Sequence, residues 1–339
     1  MTHSDAAPSR KASRLGLYAP WGLAVLLAVG WSLAWVWLSH QTAERLDAGA
    51  TRLRAQGWTV AWSARRIGGY PFRLDIDFDN LAVAEPSGWG VVAPGLKTEA
   101  YAWAPGRWVM FATAGLTLTR PGGGPVQVGA RLLRASAGDF GEHPPRISVE
   151  GQQLTFTPAP GAKPFPIVAA DSLELHTLAG PDDQGAVFVG LGRATVPPDG
   201  LVGLLAQGKP VDLKADAIFS HAGALVGRDW PSAARAWVHA GGALDLRQAS
   251  VTRIGASVDA QSVALTIADD GHLAGPLTLD LSKAPQSLLV AGANQPIPPI
   301  VASLAAAAMA SGNAQVALSF KDGRAMLGRA AIAPAPKIF

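Results

Sequence analysis

The chain has no cysteine in its 339 residues. Disulfide staples, thiolate metal sites and cysteine nucleophiles are therefore excluded. Charged side chains are scarce, at 16% of residues, and none occurs between Leu15 and Ser39. The seven histidines form no HxH or HxxxH pair, and no Gly-x-Ser-x-Gly is present. A zinc pair on one element and a hydrolase elbow thus have no starting point. Basic excess is missing too: with Arg10, Lys11, Arg14 and Asp5 set aside, 25 basic residues stand against 24 acidic ones. A near-neutral domain offers no field for a polyanion, which excludes nucleic acid as a partner.

The uncharged stretch is itself the strongest positive signal. At roughly 1.5 Å per residue, Leu15–Ser39 is long enough for the hydrocarbon core of a bilayer, about 30 Å. Trp21 lies near one end and Trp35 with Trp37 near the other, where amphipathic rings settle at headgroup level. Arg10, Lys11 and Arg14 precede the run, and no acidic residue follows before Glu44. This asymmetry predicts a single-pass protein of the inner membrane with its N-terminus in the cytoplasm. A cleaved signal peptide would have a shorter apolar core and a small-x-small site close behind it. Ser39-His40-Gln41-Thr42-Ala43 supplies no such site. The expected division is a cytoplasmic tail over 1–14, a transmembrane helix over 15–39, a helical stalk over 40–57 and a periplasmic β-rich domain over 58–339. Within the stalk, Leu46, Ala50 and Leu53 recur at helical spacing, and Gly57 stands where a helix would stop.

From Trp58 the period changes to two. Leu74, Ile76 and Phe78 alternate with Arg73, Asp75, Asp77 and Asp79, which is the pattern of a half-buried strand. A turn, an alternating strand and a closing proline then recur at Asp79–Pro86, Ala114–Pro121 and Gly151–Pro158. Looser copies follow at Asp171–Thr177 and Ala260–Ile267. Repeated modules of this kind predict a mainly β fold, a β-rich α+β architecture in which an extended, curved antiparallel sheet carries a few packed helices. Helices are expected at Leu201–Gln207, after an Asp229 cap, at Ser287–Ala293 and at Ile300–Ala310. Hairpin turns are expected at Asp269–His272 and Lys321–Arg324.

Two segments invite chemistry and fail on their spacing, and a third reads as structural. Gly203 to Pro210 approaches a P-loop, but Pro210 stands where the Mg²⁺-binding hydroxyl belongs. Asp75-Ile76-Asp77-Phe78-Asp79 suggests a calcium loop, yet the sixth and twelfth places hold Asn80 and Pro86. In Tyr70-Pro71-Phe72-Arg73, Pro71 fixes the lead-in to the first long strand and Phe72 is expected to pack inward. Trp89, Trp103 and Trp108 suit either core or membrane contact. No catalytic residue, metal ligand or cofactor is assigned.

With these residues laid out, the chain is similar to bacterial envelope proteins of the family called domain of unknown function 2125. The likeness rests on Gly68-Gly69-Tyr70-Pro71-Phe72-Arg73-Leu74, on Ala93-Pro94-Gly95-Leu96 leading to Ala100-Tyr101-Ala102, on Leu116–Pro121 and on Ala240–Leu244. The strand-plus-proline module resembles AsmA-like envelope proteins more distantly. That second resemblance implies a sheet curled around an apolar channel and a role with lipids. The expected function is binding or transfer of a membrane lipid or another apolar ligand, without enzymatic activity. The alternative is a structural or assembly factor that docks other envelope proteins. The expected ligand surface is one sheet face carrying Leu81, Val83, Leu116, Leu118, Leu154 and Phe156. Each pair lies two residues apart and so points the same way.

Overall fold

A computed structural model describes residues 15–198, 200–284 and 314–339. The basic cluster before Leu15 and the helices expected at Ser287–Ala293 and Ile300–Ala310 lie outside the described residues. Helix α1 (Leu15–Ala55) is one unbroken helix of 41 residues, about 60 Å long. The apolar segment and the stalk are therefore a single rod. Nothing between Ser39 and Glu44 breaks a helix, so the ladder continues through the junction. The rod stops where Gly57 takes φ of 90°. There the amide of Trp58 donates to the Leu53 carbonyl at 3.0 Å and that of Gly57 to Arg54 at 3.0 Å, a Schellman closure.

Every strand among the described residues belongs to one 18-stranded sheet. Strands β1 (Thr59–Ala61) and β2 (Ala64–Gly68) lie end to end against β3 (Arg73–Ala84), and β4 (Gly90–Tyr101) runs along the other side of β3. Strands β5 (Ala104–Ala112) and β6 (Leu116–Arg120) share the far side of β4. Strands β7 (Gly124–Gly129) and β8 (Leu132–Gly138) pair with them and together flank β9 (Arg146–Pro158). An antiparallel meander then runs through β10 (Ala169–Ala179), β11 (Gly185–Ala194), β12 (Val211–Phe219), β13 (Leu244–Arg253) and β14 (Ala256–Ile267). It continues through β15 (Leu273–Asp280), β16 (Gln315–Lys321), β17 (Arg324–Leu327) and β18 (Ala330–Pro334), and all of these pairings are antiparallel. Helix α2 (Gly200–Ala206) interrupts the passage from β11 to β12, and α3 (Trp230–His239) that from β12 to β13.

The period-two reading of β3 holds side chain by side chain. Leu74, Ile76 and Phe78 are buried, at 0%, 2% and 7% exposure. On the other face Arg73 reaches Asp75 and Glu99, Lys97 reaches Glu99, and Arg66 holds Asp79 at 3.0 Å. Two of the three aspartates considered for calcium are thus engaged by cations in an ion ladder.

Seven strand pairings separate β3 from β12. The segment after β12 nevertheless reaches the far end of the β3–β4 hairpin. The contacts are specific: Trp58 Nε1 donates to the Arg228 carbonyl at 2.6 Å, and the Trp230 amide donates to Glu85 Oε2 at 3.0 Å. One core cluster, with Val128, Leu154, Leu191 and Val211, lies where the sheet meets α2. A second surrounds Trp237 under α3.

Candidate functional site

The ladder places the six expected ligand residues on a common face. Val83 is opposite Val91, Val91 opposite Leu118, and Leu118 opposite Val126, while Leu116 lies beside Val128 and Val128 beside Phe156. This face is closed in the middle. Leu154 is 1% exposed and packs in the cluster beside α2, with Leu116, Leu118 and Phe156 half-buried around it. Leu81 and Val83 are half-buried near the edge of the sheet. Phe156 stacks on Phe165 with centroids 4.9 Å apart.

Phe72 corrects an expectation. It is 61% exposed and Tyr70 is 56% exposed, so Phe72 does not pack inward. The β2–β3 turn projects past the sheet, and the buried alternation begins only at Leu74. Gly69 makes that turn possible. Its φ is 96°, and a Cβ there would meet the Arg73 carbonyl oxygen at 2.7 Å.

A cavity of about 390 Å³ opens elsewhere, between α3 and the inner ends of β11 to β14. Phe219, Leu244, Leu265 and Ile267 form its floor, Ala234 and Trp237 its roof, and Trp230 with Ile338 one side. Its wall is wholly apolar. The polar groups nearby are tied off instead of facing inward. Thr177 Oγ1 donates to the Pro145 carbonyl at 2.7 Å and Thr266 Oγ1 to Gly242 at 3.2 Å, leaving their methyls toward the space. The indole N–H groups of Trp237 and Trp230 donate to the carbonyls of Ser220 (2.6 Å) and Ile338 (3.0 Å).

The sequence builds this roof locally. Asp229 caps α3, accepting from the Ser232 amide at 2.9 Å and the Ser232 hydroxyl at 2.6 Å, with Pro231 in the first turn. The Ser232 hydroxyl, then its amide, and more weakly Arg228 hold the Asp229 carboxyl below the usual carboxylate range. After α3 the chain passes directly beneath the Trp237 ring at Gly242, where any side chain would overlap the indole. The last residues complete the rim. The Ile338 amide donates to Gly271 at 2.8 Å, and Arg235 sits 4.8 Å from the centre of the Phe339 ring.

The Asp229 cap, the helix after it and the turn near His272 were legible beforehand. That they enclose a cavity was not. Its walls combine the ends of successive strands with α3 and Ile338, and Ile338 and Phe339 belong to no periodic pattern. The side chains lining the cavity include no carboxylate, imidazole, amine or thiol. Among the described residues no group of three or more His, Asp or Glu side chains could hold a metal ion. The near-P-loop is the end of α2 and its exit, with β12 following it.

Within the described residues, one helix, Tyr18–Ala55, is long and apolar enough to cross a membrane, and side chains such as Leu26 and Leu33 point away from the protein. Searches of curated proteins and of solved structures returned no match. The family model described as an uncharacterised protein conserved in bacteria (DUF2125) matches residues 35–336, and the chain belongs to that family.

Proposed function

We propose that this is an inner-membrane protein, anchored by the first part of α1 with its N-terminus in the cytoplasm, whose periplasmic sheet holds the acyl chain of a lipid beneath α3. The cavity carries the reading. Its roughly 390 Å³ and unbroken apolar wall suit a flexible hydrocarbon and give water no hydrogen-bond partners. The anchor tethers this cavity to a reservoir of such chains, with Trp230 of its wall at the end of the β3–β4 hairpin away from Trp31 and Trp35. The basic residues before Leu15 support the orientation.

The test is to fill the space. Ala234 is fully buried and faces the cavity, so Ala234→Phe puts a ring where the ligand would lie. Binding of cis-parinaric acid to the full chain should become at least tenfold weaker while thermal melting holds. Leu225→Phe, from another part of the wall, repeats the test should the first variant fail to fold. Folded variants that bind as well as the parent protein would remove the cavity from the account.

A further inference from the structure

We infer that the rim of the sheet formed by the β2–β3 and β4–β5 turns is seated in the outer headgroup layer of the bilayer that α1 spans, through Tyr70, Phe72, Tyr101 and Trp103. The inference rests on α1 being a membrane anchor and goes beyond the ligand reading.

The helix places the rim. Trp31 Nε1 donates to the Pro71 carbonyl at 2.8 Å, Trp35 Nε1 donates to the Arg73 carbonyl at 2.8 Å, and the hydroxyls of Ser32 and Tyr70 lie 2.8 Å apart. Trp35 and Tyr70 also meet edge to face, with centroids 5.5 Å apart. All three helix residues belong to the uncharged run that ends at Ser39. Trp31 is eight residues short of that end, an axial distance of about 12 Å. Pro71 is held at this depth and Arg73 one helical turn higher. The turn therefore dips beside the apolar segment instead of hanging above it.

The tip has the chemistry of that depth. Tyr70 and Phe72 are 56% and 61% exposed, and the adjoining turn adds Tyr101 and Trp103 at 57% and 61%, their rings stacked 4.9 Å apart. Register keeps the two turns side by side, with Arg73 opposite Tyr101 and the Ala102 amide donating to the Phe72 carbonyl at 3.0 Å. Four large aromatic side chains facing solvent would be a costly surface in water, but they suit the interface where amphipathic rings collect. The backbone agrees. The carbonyls of Gly69, Pro71, Phe72 and Arg73 all accept hydrogen bonds from within the protein, as a low-dielectric layer requires.

Because the chain has no cysteine, each introduced thiol is a unique attachment site. Phe72→Cys and Trp103→Cys in the full chain would carry a nitrobenzoxadiazole dye. Leu27→Cys reports the middle of the apolar run, and Val92→Cys the opposite end of the β3–β4 hairpin. The proteins are reconstituted in vesicles of phosphatidylethanolamine and phosphatidylglycerol that hold a spin-label quencher either near the headgroups or deep in the acyl layer. The expected result is that F72C and W103C are quenched most by the shallow label and L27C by the deep one, with V92C unaffected. Quenching of L27C while F72C and W103C behave like V92C overturns the rim and leaves the anchor standing. An unquenched L27C removes the anchor and the rim with it.

Discussion

Leu154→Glu should unfold the β domain instead of thinning a surface. Leu154 is 1% exposed, lies against Gly151 of its own strand, and packs with Val128, Ala170, Leu191 and Val211. A carboxyl placed there has no cation and no donor, and the cost of burying or protonating it, added to the lost leucine packing, is comparable with a domain's margin of stability, typically about 5–15 kcal/mol. Leu154→Ala removes only packing and should cost about 2–5 kcal/mol. Circular dichroism melting of both variants in detergent separates the cases. L154E should show no cooperative transition, and L154A one at a lower temperature. A parental melt for L154E would mean that water reaches this face and that the sheet is open along Leu116, Leu118 and Phe156.

The second large effect is expected at Trp237. The ring is 5% exposed, roofs the cavity, lies over Gly242, and its N–H holds the Ser220 carbonyl at 2.6 Å. Trp237→Ala should therefore cost about 3–5 kcal/mol and enlarge the space under α3. Trp237→Phe keeps most of the ring but leaves the Ser220 carbonyl without that donor, a loss of about 1–3 kcal/mol. The order parent, W237F, W237A in melting temperature is the expected outcome. Equal melting for all three would mean that α3 is not fastened to the sheet through this side chain.

Much of the architecture was legible because burial imposes a period. The alternation at Leu74, Ile76 and Phe78 identified a strand, and the Asp229 cap identified α3. The common face of Leu81, Val83, Leu116, Leu118, Leu154 and Phe156 followed from the same two-residue period. Alternation cannot say what covers a face, however, and Leu154 proved to lie under a closed core. Phe72 was misread because the period was extended into a turn that ends it. The cavity was invisible for a different reason. Its wall joins Phe219, Leu244 and Ile267 on three neighbouring strands to α3 and to Ile338 at the end of the chain, and no local pattern encodes that meeting. The docking of Trp31 and Trp35 on the β2–β3 turn was hidden likewise, since Trp31 read simply as part of an apolar span and Trp35 as an aromatic at its headgroup end.

The central claim is that an acyl chain lies beneath α3, and position-resolved photocrosslinking tests it most directly. The full chain, purified in detergent, is incubated with a fatty acid carrying a diazirine near its terminal methyl, irradiated, digested and mapped by mass spectrometry. The account predicts modification concentrated on the peptides holding Phe219, Leu244 and Leu265 to Ile267, and its loss when Ala234→Phe fills the space. Modification confined to α1 or to the Leu81–Val83 edge, with these peptides untouched, would contradict it.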